Sequence, residues 1–287
     1  MEKIKKEKIS EKLRGYCERY ESQNKAAASL KGVSSATVSQ ILNGNFELIR
    51  DEMFRTIASQ IGYKDENWEV VETRDFRLMS RFLEDAQNNS LVMAITGNAG
   101  SGKTFAMRHF TDTHKRVYML CCNEYWNRQW FLQELLGQMG KEITTESVGE
   151  MVSEVVRTLK MQERPLIIMD EADKLSDQVL YFFITLYNQL EDECGIVLVA
   201  TSFLEKRLRT GLKFNKKGYA EIWSRIGRKC IELKGVGAAD IASVCEVNGI
   251  TERGDIEKVI QDSDGDLRRV RRKIHSLRKI AEKVTMV

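Results

Sequence analysis

The chain has 287 residues, 42% hydrophobic and 30% charged, with a net charge of +3. That length suits one large or two smaller globular domains. No apolar run reaches the length of a membrane span. The near-neutral total hides two basic ends. Met1–Arg14 holds six Lys/Arg against three acids, and Asp266–Lys283 holds eight against two. Such ends suit polyanion contacts, or equally two solvated helix faces. The six cysteines are scattered without a CxxC pair and read as reduced core residues of a cytoplasmic protein. The amphipathic start does not read as a signal peptide.

Residues 1–63 predict a small helical unit. Ile4, Ile9, Leu13, Tyr16 and Tyr20 form a helical stripe. A short helix fits Lys25–Lys31, and Gly32-Val33-Ser34 turns the chain. Ser34 can N-cap a helix over Ser35–Leu42, which Asn43-Gly44-Asn45 stops. A last helix fits Arg50–Ile61. Residues 64–74 read as a polar linker without strong periodicity.

Residues 75–234 alternate apolar strands with helices. The strands are Leu91–Thr96, Arg116–Cys121, Leu166–Asp170, Ile196–Thr201 and Cys230–Leu233. The helices are Asp75–Gln87, Lys103–Thr113, Trp126–Met139, Thr145–Met161, Ser176–Asp192 and Phe203–Leu212. Five apolar strands interleaved with helices predict an α/β fold, a parallel sheet with helices on both faces. Residues 235–287 read as three helices, a small C-terminal lid. The last carries the apolar stripe Leu267, Val270, Ile274, Leu277 and Val284.

Between the first core strand and its helix stands Gly97-Asn98-Ala99-Gly100-Ser101-Gly102-Lys103-Thr104. This is GxxxxGK[ST] in the strand–loop–helix setting that a phosphate-binding P-loop requires. Glycines let backbone N–H groups turn inward on phosphate oxygens, and the new helix adds its positive end. Lys103 would reach the β- and γ-phosphates of ATP, and the Thr104 hydroxyl would ligate Mg²⁺. A second element, Leu166–Glu171, is a buried strand ending in adjacent carboxylates. At the carboxyl end of a strand in an open α/β sheet, such groups face the ligand crevice. Asp170 would hold Mg²⁺ through water, and Glu171 would orient the attacking water.

The P-loop together with "IIMDEAD" resembles the AAA+ branch of P-loop ATPases. The resemblance implies further groups. Thr201, with Ser202 second, matches the polar first sensor near the γ-phosphate. "WSRIGRK" resembles the arginine-finger box, so Arg225, or Arg228, would reach a neighbouring subunit's nucleotide. "GDLRR" resembles the lid motif of initiator-type members, with Arg268 as second sensor.

The front segment "NKAAASLKGVSSATVSQILNG" resembles the helix-turn-helix of lambda-repressor-like proteins. In that likeness Ala28 fills the close approach of two helices, and Gly32 makes the left-handed turn. Val38 and Ile41 anchor the second helix, while Ser35, Thr37 and Gln40 face a DNA major groove. A three-helix interaction module without DNA is the alternative. Absence of Arg at these positions argues against strong guanine readout. Arg207, Arg209, Lys213, Lys216 and Lys217 form a further basic stretch able to meet phosphates, as do Arg269, Arg271, Arg272, Lys273, Arg278 and Lys279 on the last helix.

Helix-turn-helix, AAA+ core and short lid, in that order, resemble the target-capturing ATPases of DNA transposition, the family of the phage Mu B protein. The resemblance implies an ATP-dependent ATPase that binds double-stranded DNA with little sequence preference and self-assembles there into a filament or ring. It further implies recruitment and activation of a DDE-type transposase, whose own catalytic centre does not appear in this chain. A helicase loader or initiator-like ATPase is the rival within the fold. An ATP-responsive transcription regulator is the rival outside it.

Overall fold

The computed structural model describes residues 3–20, 22–63, 68–141 and 147–285. Four helices make the front unit: α1 (Lys3–Cys17), α2 (Gln23–Ala28), α3 (Ser35–Leu42) and α4 (Asp51–Gln60). Ile9, Leu13, Val38, Ile41, Phe54 and Ile57 form its buried centre. Ser34 caps α3 by accepting the Thr37 N–H, a satisfied orphan donor of the kind that fixes a helix start. Gly32 has φ +72 in the turn between α2 and α3. Ala27, at 2% exposure, is the small residue of the helix contact, whereas Ala28 faces out. The reason is phase: α2 starts at Gln23, two residues before the sequence suggests.

The middle of the chain runs α5 (Arg74–Asn88), β1 (Val92–Thr96), α6 (Lys103–Thr113), β2 (Val117–Cys121), α7 (Arg128–Gln138), α8 (Val148–Lys160), β3 (Leu166–Asp170), α9 (Asp177–Leu190), β4 (Gly195–Ala200), α10 (Ser202–Lys213), α11 (Tyr219–Arg225) and β5 (Cys230–Glu232). The strands pair in the order β2-β3-β4-β1-β5, every pair parallel. Both faces are covered, so the strands are apolar throughout, yet side chains still alternate between faces. Tyr118, Leu120, Ile167, Met169, Ile196 and Leu198 pack with α7, α8 and α9. Met93, Ile95, Ile168, Val197 and Val199 pack with α5 and α6. The short α11 lacks an apolar run of its own, and sequence periodicity misses it. Thr145, the expected start of one helix, lies outside the described residues; α8 begins at a capping box of Ser147 and Glu150.

Three helices close the chain: α12 (Ala238–Val247), α13 (Arg253–Ser263) and α14 (Leu267–Thr285). Val270 and Ile274 of α14 are buried against Ile241, Val244, Cys245 and Val259; the Val284 side chain lies outside the described residues. The connector is less loose than its sequence implies. Trp68 and Val71 pack on this last helical cluster. Asn248 clamps the Glu69 backbone from both sides, accepting its N–H and donating to its carbonyl, each at 3.1 Å. Arg278 donates to the Asn248 carbonyl, so this basic residue turns inward rather than to solution.

The front unit meets the core through charge. Asp112, at the end of α6, accepts from Lys12 of α1 and from Arg19 just beyond it. Cys122, Cys194 and Cys245 are buried, as read from sequence, but Cys121 is exposed at the end of β2. No helix among the described residues is long and apolar enough to cross a membrane.

Phe54→Ala should cost about 3–5 kcal/mol, the usual range for emptying a fully buried aromatic position. Hydrogen exchange should show α1, α3 and α4 losing protection while β1, β3 and β4 keep theirs. Uniform loss across the chain would mean that the front unit does not fold independently of the sheet.

Candidate nucleotide site

A cleft of about 540 Å³ opens at the carboxyl edge of the sheet, between core and lid. The P-loop forms its floor. Gly100 (φ +78) and Gly102 (φ +89) adopt left-handed backbone, which L side chains resist. A Cβ at Gly100 would also lie 2.3 Å from the Asp266 carboxylate. From Ala99 to Thr104 every loop residue lines the cleft. Gly97 and Asn98 contribute through their carbonyls, which accept the Lys103 ammonium at 2.8 and 2.7 Å. Burial holds the Lys103 pKa below its ordinary value, against the pull of Asp170 and Asp173 nearby.

Thr104, in the first turn of α6, donates its hydroxyl to Asp170 at 2.7 Å. The other Asp170 oxygen accepts the Glu171 N–H at 2.9 Å. Burial raises the Asp170 pKa, and these two hydrogen bonds oppose the rise. Glu171 has φ +55, a conformation of order 1–3 kcal/mol uphill for a non-glycine residue. It carries its carboxylate out of the strand line, where Lys174 donates to it at 2.7 Å. That hydrogen bond raises the Lys174 pKa. Thr201 caps α10 and donates to Asp173 at 2.8 Å.

The lid supplies the opposite wall. The Leu267 N–H donates to the Gly100 carbonyl at 2.9 Å, so α14 starts directly on the P-loop. Arg268 lines the cleft, close enough to Lys103 for the two cations to interact. Arg271 lies over the Trp68 ring, 5.5 Å from its centre. Lys103, Thr104, Asp170, Glu171, Thr201 and Arg268 therefore converge, as the sequence expects. Arg225 does not. It stacks on Tyr187 at 4.5 Å and reaches Asn188, and none of these three residues lines the cleft.

Sequence reasoning missed Trp68, Val71, Asp75 and Asp173, and it read Arg271 as one of the phosphate-meeting residues of the last helix rather than as part of this cleft. Asp173 closes the IIMDEAD segment but was given no role; the others carry no local pattern. Among the described residues, the buried side-chain polar atoms without a partner are Asp75 Oδ1 and Ser101 Oγ. Both residues line this cleft. An unpaired buried polar atom costs about 1–3 kcal/mol, so two in one cavity mark a place built for a polar ligand.

Comparison with known proteins agrees with the geometry. The AAA domain family matches residues 86–208, which span the P-loop, the Asp170-Glu171 pair and Thr201. The chain carries an AAA domain. The DNA transposition protein B of the Mu-like prophage FluMu, from Haemophilus influenzae, is 25% identical over 248 residues. That match spans 83% of this chain and 85% of the relative. The ATP-dependent target DNA activator B of Escherichia phage Mu is 26% identical over 278 residues, spanning 93% and 85%. The chain thus resembles the Mu B proteins over most of its length. Crystalline Cdc6p from Pyrobaculum aerophilum shares the fold, with a TM-score of 0.55 at 16% identity. The match covers 78% of this chain and just under two thirds, 65%, of the solved one.

Lys103→Ala should abolish measurable binding of a non-hydrolysable ATP analogue in isothermal titration, because the cation aimed at the phosphates is gone. Unchanged affinity would remove Lys103 from the site.

Proposed function

We propose that the chain is an ATP-dependent DNA-binding ATPase that assembles on target DNA and recruits and activates a DDE-type transposase. The observation that carries the nucleotide half is the cleft in which a P-loop, the Thr104–Asp170 pair and both unpaired buried polar atoms meet. The transposition half is supported by likeness to the phage Mu activator, whose name records ATP dependence and target DNA. In this reading residues 1–63 form the helix-turn-helix domain, 75–234 the ATPase core and 235–287 the lid.

The residues suit a divalent ion. Thr104 and Asp170 offer two hard oxygen donors, which leaves room for waters and phosphate oxygens, as Mg²⁺ prefers. Bound there, Mg²⁺ would offset charge on the β- and γ-phosphate oxygens. Lys103 would leave the Gly97 and Asn98 carbonyls for phosphate. Glu171 would accept a hydrogen bond from the attacking water, and its carboxylate must swing from Lys174 to do so. Thr201 would hold the γ-phosphate end through a neutral hydroxyl. Arg268 would answer from the lid, so that lid angle and phosphate occupancy vary together. Arg225, pointing away from its own cleft, would complete a neighbour's site.

For DNA, Lys213, Lys216 and Lys217 stand on the exposed tip between α10 and α11. On α3, Ser35 is exposed and Gln40 half-buried. Thr37 is partly committed, since its hydroxyl bonds Ser34 at 2.8 Å. Arg209 is tied to Glu205 and stacked on Trp223. We assign the lysines phosphate contacts, which position a protein on DNA without reading sequence.

Electron microscopy with duplex DNA tests the whole reading. A continuous filament should form with ATP and not without it, and loss of that dependence would defeat the proposal. Affinity for unrelated duplexes, measured by fluorescence anisotropy, should fall steeply with salt and vary little with sequence. A preference of about a thousandfold for one site, the scale of specific regulators, would favour an operator-binding protein. Glu171→Gln should bind ATP and hold DNA longer while turnover drops, because an amide is a poor proton acceptor. Turnover near wild type would overturn the role given to Glu171.

A further inference from the structure

Arg207 lies in the basic stretch that sequence reads as a surface path, yet only 15% of its side chain is exposed. Each of its three guanidinium nitrogens donates to a partner within the protein. Nη1 donates to the carbonyls of Asp173 at 3.1 Å and Leu175 at 2.6 Å. Nε donates to the Tyr219 hydroxyl at 3.1 Å. Nη2 donates to the Asp177 carboxylate at 2.5 Å, and the Tyr219 hydroxyl donates to that same oxygen at 2.7 Å.

These partners belong to two different parts of the machinery. Asp173 and Leu175 lie in and just beyond the 3-10 turn Ala172–Lys174, which begins directly after Glu171. Asp173 also accepts from Thr201. Tyr219 opens α11, and Arg225 is the last residue of that helix. The Tyr219 ring is buried against α10 so closely that a Cβ on Gly211 would come within 2.1 Å of it. α11 therefore cannot rotate without breaking the guanidinium bonds or the ring packing. Only a planar fork with fixed donor directions serves two carbonyls, a carboxylate and a phenol together; an ammonium does not.

We propose that Arg207 is a positioning residue that locks the turn carrying Glu171 to the helix carrying Arg225. Each subunit's own water-orienting group and the arginine it offers its neighbour are then set by one guanidinium. The proposal rests on the reading of the chain as an ATPase with sites shared between subunits.

Arg207→Met keeps the stem and removes the fork. ATP-analogue affinity should stay near wild type. Turnover on DNA should fall roughly tenfold to a hundredfold, the scale of an ångström-sized misplacement. Loss of analogue affinity in step with turnover would instead mean a general collapse of the cleft and would overturn the positioning role. Mixed assemblies then separate the two halves. Arg225→Ala subunits keep a working cleft and need a neighbour's arginine; Glu171→Gln subunits offer that arginine. Arg207→Met should rescue neither and be rescued by neither. Added turnover with Arg225→Ala would show Arg225 still in place, and added turnover with Glu171→Gln would show Glu171 still in place; either overturns the coupling. Mixing Arg225→Ala with Glu171→Gln tests the shared site by itself. A flat result there, with co-assembly confirmed, defeats the shared-site reading and the neighbour half of the proposal with it. If Arg207→Met does not fold, Tyr219→Phe removes only the hydroxyl link. It too should fail to rescue Arg225→Ala, and full rescue would overturn the lock.

Discussion

Because all five strands run the same way, their carboxyl ends share one edge, and the P-loop, Asp170, Glu171 and Thr201 all leave the sheet from that edge. The register sets which groups. Thr96 lies opposite Ala200, so the P-loop and Thr201 leave the sheet side by side. Met169 lies opposite Leu198 and Cys121 opposite Asp170. A slip of one residue in β3 would send the Asp170 side chain to the other face and break its bond to Thr104. The apolar faces on both sides oppose such a slip, since Ile168 and Met169 pack into different cores.

Onto that fixed edge the lid is attached by few, specific bonds. The Gly235 N–H donates to Asp75 at 2.7 Å, and Asp240 accepts the Arg74 N–H at 3.1 Å. With the Leu267–Gly100 bond, these join the start of α5, the P-loop and the starts of α12 and α14 around one cavity. Such contacts favour a hinge, because directional bonds at helix ends can re-form where a broad apolar interface resists motion. By linkage, whatever a phosphate ligand does to lid placement, lid placement does in equal measure to affinity for that ligand.

The sheet and the P-loop were legible because their signals are local. Apolar strand runs, the glycine spacing and the Asp170-Glu171 pair each lie within a few residues. The cap at Ser34 and the core positions Val38 and Ile41 were legible for the same reason. What escaped depends on contacts between distant segments. Trp68 and Val71 look like linker residues until the lid packs on them. Arg207 looks like a surface cation until the Asp173 and Leu175 carbonyls approach it. α11 stands on Tyr219 against Gly211, a contact that no period in its seven residues announces. Ala27 and Ala28 differ only in helix phase, which sequence fixes to within a residue or two at best.

The two ends of the connector answer to different bodies. Beyond Trp68 it belongs to the lid, through the Asn248 clamp on Glu69. Before Tyr63 it belongs to the front unit, whose Lys12 and Arg19 grip Asp112 on the core. Five peptide units join Tyr63 to Trp68, a contour of at most roughly 18 Å. Covalent length therefore bounds how far the last helical cluster can stand from the front unit. A displacement taking Trp68 further than this from Tyr63 would have to unclamp Asn248 from Glu69, or free the front unit from Asp112, from the Glu18–Lys115 pair and from the Tyr20 contact at Gly140.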